Sequence, residues 1–289
     1  MARPLRIEYP GAVYHITSRG NARQTIFEHF MDKKQFLSIL EQVIVRYQWI
    51  CHAYCLMDNH YHLLIETVEP NLSAGMRQLN GTYTQFFNRK INRVGHLFQG
   101  RFKSILVEKK RYLLELARYI VLNPVRAHIV KQPYQFTWSS YMATAGLLRC
   151  PDYLTTSWIL QHFDKDNYHI AQHKYRSFIN EGINKASPLE ELKAQILLGS
   201  EEFVTSLKSI FLDKEKVSEI PKHQRKLCRP SLNELFDKTT QQSKPKRNET
   251  IRIAIFEYGY TQSELSNFLG LHYSTVSRLL KAEMSKLKT

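Results

Sequence analysis

The stretch WICHAYCLMDNHYHLLIET, residues 49–67, decides the fold of the N-terminal half of this chain. Residues 49–57 are apolar and aromatic with polar interruptions, and residues 61–65 are again strongly apolar. Asp58 and Asn59 stand between the two runs, and these residue types favour tight turns. The pattern predicts two neighbouring antiparallel strands joined by a short turn.

Working outward from this hairpin, apolar spacing and turn residues predict five further elements. Strands are expected at 13–18 and 101–108, and helices at 32–47, 72–90 and 111–123, the first with Asp32 as its N-cap and the last stopped by Pro124. The resulting order is strand, helix, two strands, helix, strand, helix. It predicts an α+β fold, a small antiparallel sheet backed by helices on one face in a split βαβ arrangement.

The second strand of the hairpin carries a pair of histidines on one face. Because alternate residues of a strand share a face, His60, His62 and Glu66 point one way and Tyr61 the other. Two imidazoles at i and i+2 are able to hold one divalent metal ion. The alternative is two solvated histidines near a turn.

The third predicted helix presents a polar stripe. Its members are spaced at i, i+3, i+7 and i+11: Tyr112, Glu115, Tyr119 and Asn123. Tyr119 as a nucleophile with Asn123 as a metal ligand is a chemically sensible pair. The alternative is that Tyr119 is a half-buried packing residue and Asn123 ends the helix before Pro124.

Two of these segments resemble a known family. Residues 57–64, with His60-Tyr61-His62, are similar to the His-hydrophobic-His motif of the IS200-like, single-tyrosine (Y1) transposases, although Tyr61 is bulkier and more polar than the usual middle residue. Residues 117–127, which hold Tyr119, resemble the nucleophile helix of the REP-associated tyrosine transposase branch. Further blocks match in order, so that the resemblance covers roughly residues 5–182: Arg19-Gly20-Asn21, 98–103 and 138–141.

The resemblance implies a ferredoxin/RRM-like HUH fold and a single-strand DNA transesterase. By similarity, His60 and His62 hold Mg²⁺ or Mn²⁺, and Asn123 completes the protein ligands. Tyr119 then attacks the scissile phosphate, leaving a 5′-phosphotyrosine link and a free 3′-hydroxyl. A phenol has a pKa of about 10, so the nucleophile needs help from the metal or a base, and Glu66 and Glu115 are the candidates.

Charge and composition agree with a polyanionic partner. The 289 residues carry a formal net charge of +15, which indicates nucleic acid before other partners. Arg19, Arg101 and Lys103 are expected to line a groove for the DNA backbone, unless they are simply solvated. No apolar run is long enough to cross a bilayer, and the N-terminus lacks a signal-peptide core, which predicts no membrane partner and a cytoplasmic protein.

The four cysteines are too few and too scattered for a disulfide scaffold, which fits a reducing compartment. One alternative remains open, a zinc site formed by Cys51 and Cys55 with the two histidines.

The composition changes near residue 186. We predict a transesterase domain at 1–185, a connector at 186–246 with an acidic amphipathic helix (188–213) and a basic run (222–226), and a module at 247–289. In the module, residues 261–264 form a capping box, Gly270 ends the first helix and Ser274 begins the next, a helix-turn-helix pattern that resembles DnaA-type origin-binding domains. The residues expected to reach DNA are Ser274, Thr275, Ser277 and Arg278. The alternative is a helical hairpin that only packs on its own domain.

The sequence therefore predicts an enzyme that cleaves and rejoins hairpin-bearing, REP-like single-stranded DNA. A domesticated, catalytically idle DNA-binding protein of the same fold is the main alternative, and an RNA-directed protein ranks last because no RNA-reader signature strand is present. A homodimer is left open, since related enzymes assemble their site within one chain or across two.

Overall fold

A computed structural model describes residues 6–207, 210, 230–237, 240 and 243–284. The basic run at 222–226 and Cys228 lie outside the described residues. The chain divides into two compact units, residues 6–200 and the part from Glu201 onward. The predicted domain limits at 185 and 246 differ from this division. The first unit extends to residue 200 because residues 197–198 pair with a strand of its sheet.

The first unit is built on a five-stranded sheet. Its strands are β1 (Ala12–Arg19), β2 (Trp49–Met57), β3 (His60–Thr67), β4 (Lys103–Val107) and β5 (Leu197–Leu198), in the order β2-β3-β1-β4-β5. The first four pair antiparallel, which is the split βαβ order expected from the sequence. The short β5 joins β4 in parallel and was not predicted.

Helices cover both faces of this sheet. Helix α1 (Phe30–Tyr47) and helix α2 (Leu72–Lys90) contact each other on the face that carries Tyr61, where Phe36 and Tyr61 pack at 4.7 Å between ring centres. Helix α3 (Lys109–Val121) packs on the opposite face, against a core that includes Val13, Cys55 and Leu64. The expectation of helices on one face alone is therefore wrong. The opposite face is also largely apolar and must be buried.

The rest of the unit wraps around α3 and the sheet edge. Its helices are short except the last: α4 (Asn123–Arg126), α5 (Tyr141–Thr144), α6 (Ser157–Leu160) and α7 (Tyr168–Glu181). Pro124 lies in the first turn of α4, where its missing N–H is tolerated, so it begins a new turn after α3 ends at Val121. The Trp138–Ser140 segment pairs with the outer edge of β2, since Leu56 N donates to Trp138 O at 2.8 Å and Ser140 N to Tyr54 O at 3.0 Å.

The predicted helix over 188–213 is wrong in its first half. Residues Pro188–Glu191 form a 3-10 turn, residues 197–198 form β5, and a helix, α8 (Glu201–Ser206), begins only then. Ala194 and Gln195 adopt positive φ angles of 47° and 64°, which a continuous helix does not allow.

The described part of the second unit contains four further helices. They are α9 (Leu232–Leu235), α10 (Lys244–Phe256), α11 (Gln262–Leu269) and α12 (Tyr273–Met284). The capping box at the start of α11 is present, because Thr261 Oγ1 accepts from Glu264 N at 3.1 Å and Glu264 accepts from Thr261 N at 2.6 Å. Gly270 has φ 62°, a left-handed conformation that favours glycine and ends α11.

These helices share an apolar core made by Phe236, Ile251, Ala254, Tyr260, Leu265 and Val276. None of the helices that the structure describes combines the length and hydropathy needed to cross a membrane.

Candidate active site

Strand pairing places the two histidines of β3 beside basic residues of β1 and β4, which lie on one side of them in the sheet. In the β1–β3 register His60 lies opposite Arg19, and His62 lies opposite Thr17. Thr17 in turn lies opposite Lys103 of β4. His62 is buried and His60 is partly buried, with their ring centres 5.0 Å apart. The two histidines therefore lie on one face of the sheet, next to the basic side chains of Arg19 and Lys103.

A third histidine completes the cluster. His15 of β1 has its Nε2 2.9 Å from His62 Nδ1, and the two rings are stacked with their planes at 11°. Burial lowers the pKa of His15 to about 4. Burial, together with His15 and His60, also lowers the pKa of His62 well below its usual value. Both rings are therefore neutral near pH 7.

Tyr119 of α3 stands over this cluster. Its ring centre lies 6.2 Å from that of His62 and 6.1 Å from that of His15, edge-on in both cases. The guanidinium carbon of Arg126 lies 5.4 Å from the Tyr119 ring centre. A single chain thus brings the phenol and the histidines together, as the predicted polar stripe required.

Asn123 follows one turn later, at the start of α4. Its Nδ2 donates to the carbonyls of Tyr119 at 3.0 Å and Ile120 at 3.2 Å, at the end of α3. These bonds hold the side chain and leave Oδ1 as the atom able to bind a cation. Its place as a third metal ligand stays a prediction.

The residues present fit a divalent cation held by neutral imidazoles. His60 Nδ1 lies 2.6 Å from Asn59 Oδ1, an acceptor, so Nδ1 carries the proton and Nε2 keeps its lone pair. His62 Nε2 is buried and has no hydrogen-bond partner among the described residues. A buried nitrogen of this kind is what a metal would satisfy. No cluster of three or more His, Cys, Asp or Glu suited to a metal occurs in the described ranges, so a complete site needs a ligand such as the Asn123 oxygen.

The histidine pair opens into a pocket of about 260 Å³ whose walls are basic. Arg19, Arg101 and Lys103 line it together with His60 and His62, and Asp and Glu are absent from its walls. The three basic residues expected to line a DNA groove are therefore brought to one place.

The two motif blocks that carry these basic residues lie against each other. Arg19 Nη2 donates to Gln99 Oε1 at 2.8 Å, and Gln99 N donates back to Arg19 O at 2.8 Å. A Cβ on Gly20 would lie 2.0 Å from the Gln24 carbonyl oxygen, so only glycine fits this turn beside the pocket.

Of the two carboxylates proposed to assist Tyr119, Glu66 is engaged elsewhere on the sheet, and a role for Glu115, one turn before Tyr119 on α3, stays a prediction. Glu66 binds Lys109 Nζ at 2.6 Å and His52 Nε2 at 2.8 Å, four residues along β3 from His62, which is about 13 Å. Burial alone would raise the pKa of Glu66, but His52 and Lys109 lower it overall. Glu115 is paired with Arg118. The alternation of side chains along β3 correctly placed Glu66 on the same face as His62. It did not show that four residues along the strand separate the two side chains too far for Glu66 to assist at the histidine cluster.

The zinc alternative is not supported, because no group of three or more His, Cys, Asp or Glu side chains that could hold a metal occurs among the described residues. Cys51 and Cys55 are fully buried, and burial raises the pKa of Cys51 to about 12, which disfavours the thiolate that zinc binds. The Cys55 thiol instead contacts Met57 Sδ at 3.7 Å.

In the second unit, the residues predicted to contact DNA lie on α12. Arg278 is exposed and Ser274, Thr275 and Ser277 are partly buried, while Val276 faces the core. Helix α12 begins at Tyr273, so Ser274 is not its N-cap, and the Ser274 hydroxyl bonds His272 Nδ1 at 2.8 Å.

With this geometry established, comparison with known proteins identifies the class. Residues 9–123 match the family model described as "Transposase IS200 like", and this range holds strands β1 to β4, the histidine pair and Tyr119. The fold is also similar to a solved REP-associated tyrosine transposase bound to a REP hairpin, with 17% identity and a TM-score of 0.44, over 54% of this chain and 93% of that one. No curated protein matches the sequence significantly.

Proposed function

We propose that the first unit is a metal-dependent single-strand DNA transposase that cleaves and rejoins hairpin-containing, REP-like DNA. The observation that carries the proposal is the convergence of Tyr119 with His62, whose buried Nε2 lacks a partner among the described residues, beside a basic pocket. The IS200-like domain supports the transposase class. The metal, the single-strand substrate and the tyrosine link are our inference.

In this mechanism Arg19, Arg101 and Lys103 bind the backbone phosphates and hold the scissile one near Tyr119. Mg²⁺ or Mn²⁺ held by His60 and His62, with Asn123, would supply positive charge to the phosphate as negative charge develops. The Tyr119 Oη–P bond forms as the P–O3′ bond breaks, the phenol loses its proton and the leaving 3′ oxygen gains one. One phosphodiester replaces another, so a second 3′-hydroxyl can reverse the step without ATP.

The direct test is covalent adduct formation. The chain is incubated with Mn²⁺ and a labelled single-stranded hairpin oligonucleotide, and adducts are resolved on a denaturing gel. We expect Tyr119→Phe to abolish the adduct while DNA binding is retained. Tyr112→Phe is the matched control, because Tyr112 lies on the same helix and donates its hydroxyl to Glu191 at 2.5 Å. Adducts that persist in Tyr119→Phe would contradict the assignment.

A catalytically idle DNA-binding protein is the second candidate, favoured by the lack of a three-member His, Cys, Asp or Glu cluster among the described residues. Mn²⁺ titration separates the two. Saturable binding that His62→Ala removes supports the enzyme, and no binding at all supports the idle protein.

A further inference from the structure

A second cavity lies between α2 and residues 96–102, and it is larger than the pocket beside His60 and His62, which is the catalytic pocket of the proposed function. It measures about 610 Å³, and we call it the α2 groove. Arg6, Arg77 and Arg101 line it, and its lining contains neither Asp nor Glu. Arg101 also lines the catalytic pocket, so one guanidinium borders both cavities. The α2 groove and the catalytic pocket therefore adjoin at Arg101.

The arginines of the α2 groove have no carboxylate within ion-pair distance in the part of the chain that the structure describes. The Arg6 guanidinium instead faces neutral acceptors, Ser73 Oγ at 3.5 Å and Phe102 O at 3.4 Å. Burial and the charge of Arg101 lower the pKa of Arg6, and Glu8, whose carboxylate is bound by Ser73, only partly opposes them. Like charges held close together, with Glu8 as only a partial counter-charge, favour binding of an anion.

The α2 groove also offers surfaces suited to unpaired bases. The Arg6 guanidinium carbon lies 3.8 Å from the centre of the Phe102 ring. Stacked guanidinium and aromatic planes of this kind accept a base in single-strand binding proteins. The exposed Gln85 adds an amide at the wall, and nothing lies within 4 Å of a Cβ built on Gly81, so the helix surface there is open.

We propose that the α2 groove binds the unpaired strand that flanks the hairpin, with its phosphates on Arg6, Arg77 and Arg101. This rests on the proposed function for the position of the scissile phosphate. A basic groove with a stacking platform fits single-stranded DNA, whereas a duplex would present its bases already stacked and paired.

Two variants test the proposal by different physical routes. Arg6→Ala/Arg77→Ala removes charge, and Gly81→Leu fills the open wall without changing charge. Arg89→Ala is the matched control, an exposed arginine of the same helix that does not line the groove. Circular dichroism confirms that each variant is folded.

Binding is measured by fluorescence anisotropy, without metal, on a hairpin with a single-stranded flank and on the same hairpin without it. We expect both variants to weaken binding of the flanked hairpin about tenfold, with less than twofold change for the blunt one. The double arginine variant should also reduce the slope of log K against log salt by about 1.4, the value for two single-strand phosphates.

Unchanged affinity for the flanked hairpin, or equal losses on both DNAs, would overturn the proposal. Adduct formation by the same proteins distinguishes this failure from failure of the proposed function. Adducts that depend on Tyr119 would leave the catalytic assignment standing even if the groove variants bind normally.

Discussion

At the scale of single residues, His15 contacts His62, one of the proposed metal ligands. For His62 Nε2 to offer a lone pair, its Nδ1 must carry the proton, and the His15 Nε2 contact at 2.9 Å gives that proton an acceptor. Hydrogen bonds to metal-binding histidines orient the ring and fix the tautomer. In the proposed mechanism His15 therefore positions the His62 ring.

We expect His15→Phe to weaken Mn²⁺ binding about 10- to 100-fold, the usual cost of losing such a partner. Electron paramagnetic resonance of free Mn²⁺ measures this without reference to activity. His52→Phe is the control, since His52 is an equally buried histidine of the same sheet that bonds Glu66 instead. Equal losses in both variants would indicate a general packing effect.

Some residues of the candidate site are predictable from local sequence periodicity, whereas His15 depends on how two strands pair. His60, His62 and Tyr119 follow from periodicity within one strand and one helix. His15 depends on the register between β1 and β3, which pairs His15 with Leu64 and sets it diagonally to His62. No local pattern encodes that register.

At the scale of elements, α1 begins two residues earlier than the predicted N-cap. Asp32 lies inside its first turn and accepts hydrogen bonds from the backbone N–H groups of Glu28 and His29, both at 2.9 Å. Its carboxylate also binds Lys90 Nζ at 2.8 Å, which links α1 to the end of α2. Burial alone would raise the pKa of Asp32, but these partners lower it overall.

We expect Asp32→Asn to reduce the free energy of unfolding by about 2–3 kcal/mol at pH 7, because charged hydrogen bonds are lost. The native pKa is depressed, so as pH falls below about 4 the unfolded chain takes up the proton first and the contribution disappears. Urea titrations of both proteins at pH 7 and pH 3 should show the difference shrinking. A difference independent of pH would contradict this account.

Strand β5, which the sequence did not predict, is determined by pairing with a strand far away along the chain. The acidic amphipathic pattern after residue 188 favours a helix, yet Leu197 and Leu198 are completely buried as the partners of Leu106 and Val107. A two-residue strand carries no periodicity of its own, so only the nearby edge of β4 explains it.

At the scale of the whole molecule, β5 makes residues 186–200 a part of the first unit. We expect a fragment of residues 1–200 to be at least about 3 kcal/mol more stable than one of residues 1–186, since it keeps Ile196, Leu197 and Leu198 buried. Urea unfolding compares them, and Leu197→Ala in the longer fragment should account for part of the difference. Equal midpoints would show that β5 contributes little.

The second unit has its own core, and its role is open to a separate test. Deleting residues from about 245 onward should weaken affinity for the hairpin stem while Tyr119 still forms adducts, since the proposed catalytic residues all lie in the first unit. Arg278→Ala should weaken stem binding in the same direction and to a smaller extent. Unchanged stem affinity in the deletion would favour a helical hairpin without a DNA-binding role.

The two edges of the sheet restrict how this protein can self-associate. Exposed backbone on an outer strand is what lets two molecules join through intermolecular β-pairing, and proteins suppress it to avoid aggregation. Here one border is occupied by Trp138–Ser140 and the other ends in a strand of only two residues. A dimer, if it forms, is therefore expected to be held by side chains on helical surfaces, and the monomer to resist fibril formation.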